Sequence, residues 1–102
     1  MDEFDPNDTN AQQEQADIAQ KRAELRAKQV AEDFLWMMRD PRGRRIVWAQ
    51  LADAGVFQPV FSNDAMLMAF NEGRRGAGLR ILAQVHSLCP DLYVTMMKEQ
   101  QQ

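Results

Sequence analysis

Residues 37–48, which read MMRDPRGRRIVW, contain the signal that decides how the helices of this chain are arranged. The Asp40 carboxylate can cap a helix, and Pro41 suits the first helical position, where a missing N–H costs no hydrogen bond. One helix therefore ends here and a second begins. The second helix has an apolar side for burial, made by Ile46, Val47, Trp48, Leu51 and Ala54.

Upstream of this junction the sequence predicts one long helix, from about Thr9 to about Arg39. Thr9 with Gln12 resembles a capping box, and the residues that follow are mostly good helix formers. The front half has few apolar residues, whereas the back half has a broad apolar side that includes Phe34. We expect only the back half to join the core.

These features divide the chain into three parts. Residues 1–30 are predicted to be an acidic, partly helical N-terminal arm that leaves its own domain and lies on another protein. Residues 31–99 are predicted to be the compact helical domain, and residues 100–102 a polar tail. Ile18 and Leu25 are nearly the only large apolar residues in the front half of the long helix, which is too little to hold it on the core.

Downstream of the junction, Gly55 can take the left-handed position that ends the second helix. An apolar loop with Phe57, Val60 and Phe61 follows, and Ser62 or Asn63 can cap a third helix that ends near Leu88. Gly73, Gly76 and Gly78 interrupt this third helix, each at a cost of about 1 kcal/mol relative to Ala. Either the helix breaks near Arg75, or the glycines allow close packing; we favour a continuous helix.

Pro90 then predicts a short final helix through Tyr93, Met96 and Met97. The predicted fold class is therefore all-α, a small bundle of about four helices with an overlong first helix. With 102 residues and 45% apolar content, the chain suits one domain. No apolar run is long enough for a membrane span, so we expect a protein that is cytoplasmic at synthesis.

The sequence contains no recognisable set of catalytic residues. The single His86 and single Cys89 are three positions apart, which makes at most half of a zinc site and lacks the partners of a Cys–His nucleophile. No phosphate-binding loop, GxSxG or HExxH motif is present. We therefore expect a protein that is not an enzyme and has no catalytic residue, metal site or cofactor. The seven methionines suit core and interface filling.

The charges are distributed unevenly around a net value of -3. Six acidic residues precede the first basic residue, Lys21, whereas the chain from Pro41 onward has more basic than acidic residues. The two halves are thus electrostatically complementary, which suggests contact within or between chains. The six early acids are Asp2, Glu3, Asp5, Asp8, Glu14 and Asp17.

Two arginine clusters are the most distinctive charged features. One contains Arg42, Arg44 and Arg45, and the other contains Arg74 and Arg75. Arginine forms bidentate ion pairs with carboxylates, so protein–protein or intrachain ion pairs are the favoured interpretation. Plain solvated charge and nucleic-acid binding are the alternatives, although the acidic pI near 5.0 does not suit the latter.

The second half of the chain also resembles a known family. The relevant strings are PRGRRIVW at 41–48, GVF at 55–57, FNEGRR at 70–75, Gly78-Leu79, and Pro90 with Tyr93 and MMKE at 96–99. They resemble a family of small proteins from the capsid-and-portal gene block of short-tailed phages, named after a Bordetella phage protein. The resemblance covers roughly residues 33–99 and leaves the acidic start outside.

This resemblance implies a structural protein of the virion. Taken together with the chemistry of the residues, it favours an oligomeric internal or head–tail protein at the portal vertex. A capsid-decorating protein is one alternative, and a DNA-binding or packaging factor is another. The expected partners are other virion proteins and further copies of the chain. Trp48, Phe57 and Phe70 are expected to be core anchors, and the expected ion-pair network comprises Arg44, Arg45, Glu72, Arg74 and Arg75.

Overall fold

The computed structural model describes residues 9–58 and 62–101, which form four α-helices. They are α1 (Thr9–Met38), α2 (Pro41–Asp53), α3 (Ala65–Leu88) and α4 (Pro90–Gln100). Within these described ranges there is no β-strand. The predicted all-α fold of about four helices is confirmed. The predicted plugs Val60 and Phe61, like residues 1–8, lie outside the described residues.

The chain divides into two compact units, with the boundary after Asp33. In the first unit, the described residues 9–33 belong to the front of α1 and are exposed, apart from half-buried Ala11 and Ala31. This part of the chain therefore has no core of its own. The second unit, from Phe34 onward, contains the end of α1 and the other three helices.

The core of the second unit receives one fully buried side chain from each helix. These are Met38, Leu51, Val85 and Met96, each 0% exposed. Phe34, Val47, Val56 and Cys89 complete the buried set. Helices α2, α3 and α4 pack against one another, so every pair among them shares an interface.

The junction between α1 and α2 forms as the sequence predicts. The Asp40 carboxylate accepts a hydrogen bond from the Arg42 N–H at 2.8 Å, and Pro41 opens α2. Gly43 is a feature that the sequence analysis missed. A Cβ atom at Gly43 would overlap the carbonyl oxygen of Met37, so only glycine lets the first turn of α2 approach the end of α1 this closely.

The end of α2 is a Schellman turn. Gly55 has a φ of 76°, which confirms the predicted left-handed position. The Val56 N–H donates to the Leu51 carbonyl, and the Gly55 N–H donates to that of Ala52, at 3.2 and 3.0 Å. Val56 and Leu51 are both buried, so the turn also anchors the following loop in the core.

Helix α3 is continuous through all three glycines, as favoured from the sequence. Its N-cap is Asp64, not Ser62 or Asn63; the Asp64 carboxylate accepts from the N–H groups of Met66 and Leu67. Only Gly78 has a close neighbour, because a Cβ there would come within 2.6 Å of Ala54 and Val56. The close approach of α2 and α3 therefore depends on Gly78.

The predicted core anchors need correction. Trp48 is half-buried against the core and stacks on Phe57 with ring centroids 4.8 Å apart. Phe57 itself is 45% exposed despite this stack. Phe70 is 66% exposed and is not a core residue. The fully packed residues of α3, Gly78 and Val85, lie in its second half, beyond the reach of Phe70.

Candidate functional site

Arg44 makes the most extensive polar contacts in the described part of the chain. It lies in the first turn of α2 and is only 7% exposed. Its Nε and Nη2 donate to the two carboxylate oxygens of Glu99 at 2.7 and 2.9 Å, and its Nη1 donates to the Met38 carbonyl at 2.8 Å. The guanidinium therefore joins the ends of α1 and α4 to the start of α2.

This arrangement follows from local structure. Met38 is the last residue of α1, where backbone carbonyls lack helical partners and the helix dipole favours a cation. Glu99 lies in the last turn of α4 and presents both oxygens to the planar guanidinium. The hydrogen bonds with Glu99 raise the pKa of Arg44 above its ordinary value and lower the pKa of the Glu99 carboxyl.

Arg45 has a secondary part in this site. Its side chain is exposed, and its positive charge adds to the lowering of the Glu99 carboxyl pKa that Arg44 dominates. Neither Arg45 nor its neighbour Arg42 makes an ion pair within residues 9–58 and 62–101. Arg44 is therefore the residue of the first cluster that forms a partly buried ion pair, and its partner Glu99 was not among the predicted network residues.

The second arginine cluster is arranged differently from the prediction. Glu72 and Arg74 are exposed, and among the described residues neither Arg74 nor Arg75 has a carboxylate partner. The Arg75 Nε is buried without a hydrogen-bond partner. The five predicted network residues therefore do not form one network in these ranges. The acids Asp2, Glu3, Asp5 and Asp8 lie outside the described residues.

The first half of α3 carries an exposed apolar surface. Met66 is 84% exposed, and Leu67, Met68 and Phe70 are exposed as well. We call these four residues the α3 apolar face. Met66, Phe70 and Arg74 follow at four-residue spacing, so the apolar stripe ends on a cation. Met66 and Met68 are the residues whose type, already visible in the sequence, suits an interface as well as a core.

A groove continues the same stripe toward the second half of α3. Arg74, Ala77 and Ile81 line one wall, and α2 supplies the other through Gln50, Asp53 and Ala54. Its volume is about 270 Å³. The stripe and the groove together give α3 a surface long enough for another helix.

His86 and Cys89 lie in different surroundings, since His86 is exposed and Cys89 is buried. The His86 ring lies 4.7 Å from the Tyr93 ring, and Cys89 is buried in the core. Burial raises the pKa of the Cys89 thiol, which disfavours the reactive thiolate. No group of three potential metal ligands occurs in the ranges that the structure describes. In the same ranges, no helix is both long and apolar enough to cross a membrane.

A known protein family matches most of the second structural unit. The family described as Bbp19-like phage protein matches residues 34–98. The chain belongs to the Bbp19-like phage proteins. The resemblance found in the sequence is thereby confirmed. No curated protein and no solved structure is significantly similar to the chain.

The Bbp19-like match coincides with the second structural unit. It begins at Phe34, where that unit begins, and includes Arg44, both closely packed glycines and the α3 apolar face. It ends one residue before Glu99. The first thirty-three residues lie outside the match.

Proposed function

We propose that this Bbp19-like protein is an oligomeric structural component of the phage virion, located at the portal vertex as an internal or head–tail protein. It would act through protein–protein contacts, enter the particle from the host cytoplasm, and have other virion proteins as partners. The α3 apolar face is the observation that carries this proposal. Membership of a phage protein family supports the virion setting.

The physical basis of this proposal is that the exposure of apolar side chains to water is energetically unfavourable. Four large apolar side chains within five residues of one helix are unusual on a protein that works alone, and such patches mark contact sites. Methionine adapts to irregular partner surfaces, which suits a site that meets neighbours in a ring. The exposed front of α1 is a second segment that would gain stability from a partner.

The test is the composition of purified particles. Mass spectrometry should detect the protein in full virions at a copy number that fits a portal ring. In emptied virions the protein should either remain or be lost together with the genome. Phe70→Ser should reduce incorporation strongly, whereas Ile46→Ser, at another exposed apolar site, should not. Absence from particles would refute the proposal. A copy number matching the capsid lattice would favour the alternative, a capsid-decorating protein.

The N-terminal arm is tested in the same particles. Deleting residues 2–24 should leave the thermal stability of the domain nearly unchanged, because this segment contributes no residue to the described core. It should also prevent incorporation, if the arm holds the protein in place. A truncated chain that unfolds, or that still enters particles at full copy number, would contradict an assembly role for the arm.

A DNA-binding or packaging role is the second candidate, favoured by the exposed guanidinium groups of Arg42, Arg45 and Arg74. Against it, Arg44 is occupied by Glu99 and the net charge is -3. Phosphate binding would weaken steeply between low and physiological salt, whereas a packed apolar interface would persist. Titration of labelled DNA at two salt concentrations separates the two roles.

We also propose that the protein has no hydrolase activity. The raised pKa of the buried Cys89 thiol and the packing of His86 on Tyr93 support this. His86→Ala and Cys89→Ala should therefore leave particle infectivity unchanged once folding is verified. Cleavage of peptidoglycan or peptides by the purified protein, abolished by either substitution, would overturn this proposal.

A further inference from the structure

One exposed surface that suits a partner runs along α3 from Met66 to Arg74 and into the adjoining groove. It is apolar at Met66 and Phe70, cationic at Arg74, and small at Ala77. A partner that covers this surface must therefore offer apolar contacts beside acidic groups.

The N-terminal arm has this chemistry. Ile18 is exposed, and the acidic groups Glu14 and Asp17 lie beside it on α1. Six acids and no basic residue occur before Lys21, whereas α3 carries Arg74, Arg75 and Arg80 in its middle. The described arm residues form no core of their own, so their apolar side chains remain available.

The spacing on the two helices is also complementary. On α1, the series Ala11, Glu14 and Ile18 advances by three and then four residues. On α3, the series Ala77, Arg74 and Phe70 recedes by the same steps. Two antiparallel helices would therefore bring small against small, acid against base, and apolar against apolar residue in one register.

We propose that the N-terminal arm of a second copy lies antiparallel on the first half of α3, with Ile18 against Phe70 and Glu14 against Arg74. This inference rests on the proposed function and names its partner surface. Ala11 then lies beside Ala77, where two small residues permit close approach. The arm and α3 are different surfaces, so each copy can offer an arm to one neighbour and receive an arm from another, which is the head-to-tail contact of a ring.

A charge exchange tests the register in the full chain. Glu14→Arg and Arg74→Glu should each raise the dissociation constant for self-association by about tenfold or more, because like charges then face each other. The double variant should return it close to the unmodified value. Glu24→Arg and Arg42→Glu, at exposed positions that are outside the register and, for Arg42, on α2, are the matched controls. Sedimentation velocity measures each constant, and circular dichroism verifies the fold.

The outcome that overturns the proposal is equally specific. A monomeric full chain, single variants that change nothing, or a double variant without rescue would each refute it. Mixing a chain that carries Ile18→Cys with an isotope-labelled chain that carries Phe70→Cys adds an independent measurement. A mixed disulfide between the two chains is expected under mild oxidation, whereas Leu25→Cys should not replace Ile18→Cys in it.

The same reagents separate this inference from the proposed function. If the protein is present in particles but the 18–70 disulfide does not form there, the arm contact is wrong and the virion role stands. If the charge exchange behaves as expected in solution but the protein is absent from particles, the virion role is wrong and the arm contact stands. In a chain that carries both Ile18→Cys and Phe70→Cys, an 18–70 disulfide formed only within one chain would refute the second copy as occupant.

Discussion

The tripeptide Gly-Arg-Arg occurs twice in this chain, at residues 43–45 and 73–75, with opposite structural results. In the first copy, Gly43 has no room for a Cβ and Arg44 is buried with three hydrogen bonds. In the second, Gly73 has nothing within 4 Å and Arg74 is exposed. The same tripeptide is therefore packed between helices at one position and exposed at the other, depending on which elements lie beside it.

The largest expected difference is between the two glycines. Gly43→Ala should lower the free energy of unfolding by about 3 kcal/mol, because the new methyl group overlaps backbone atoms of Met37 that cannot move freely. Gly73→Ala should raise it by about 0.5–1 kcal/mol through better helix propensity. Urea denaturation of both variants measures the difference. Equal effects would mean that the close approach at Gly43 is not required for folding.

The arginines that follow the glycines provide the second contrast. Arg44→Met should cost about 2 kcal/mol, since the Met38 carbonyl and Glu99 lose their donors while the apolar volume is kept. Arg74→Met should stay within about 0.5 kcal/mol, as expected for an exposed residue without an ion pair in the described chain. Thermal and urea unfolding report both, and a cost at Arg74 like that at Arg44 would contradict the contrast.

Low pH should specifically weaken the contribution of the Arg44–Glu99 ion pair to stability. The pKa of Glu99 is lower in the folded protein, so its pair adds stability that is fully present above the ordinary carboxyl range, about 4.3. That stability is lost as pH falls through the folded value. Glu99→Gln should therefore flatten the fall of melting temperature below about pH 4.3, whereas Glu72→Gln, at an exposed carboxylate, should keep it. Identical curves for Glu99→Gln and the unmodified protein would exclude this role.

The smallest effect is expected at Arg75 in the isolated chain. Arg75→Met removes a buried Nε that has no partner, so the free energy of unfolding should change by less than about 0.5 kcal/mol or rise slightly. A buried ion pair with a carboxylate, which the sequence favours for this cluster, would instead give a cost of about 1–3 kcal/mol. A loss in that range, measured on the monomer, would reveal an acid partner for Arg75.

Local signals in the sequence were sufficient for the helix boundaries. Asp40 with Pro41, Gly55 and Pro90 each act within a few residues of their own position, and each is found where predicted. The third helix cap was assigned one or two residues early because Ser62, Asn63 and Asp64 are all capping residues. Neighbouring candidates of similar propensity cannot be separated without the backbone.

The candidate site was harder to predict because it depends on distant contacts. Arg44 and Glu99 are 55 positions apart, and no local pattern connects them. Gly43 matters only because the end of α1 passes over it. Phe70 was expected in the core since an aromatic residue on an amphipathic helix usually packs inward. Its exposure reflects where the packing of α3 begins, which hydrophobic periodicity does not encode.

The open surroundings of Gly73 and Gly76 have a consequence for motion. Both lie between the exposed and the packed halves of α3, and a Cβ atom at either position would have nothing within 4 Å. Both glycines also have a weak helix propensity. Backbone amides before these glycines should therefore open and exchange their hydrogens faster than those around Val85, on the same helix. A bound neighbour would slow this exchange, so the protection of residues 65–76 offers a residue-level gauge of assembly.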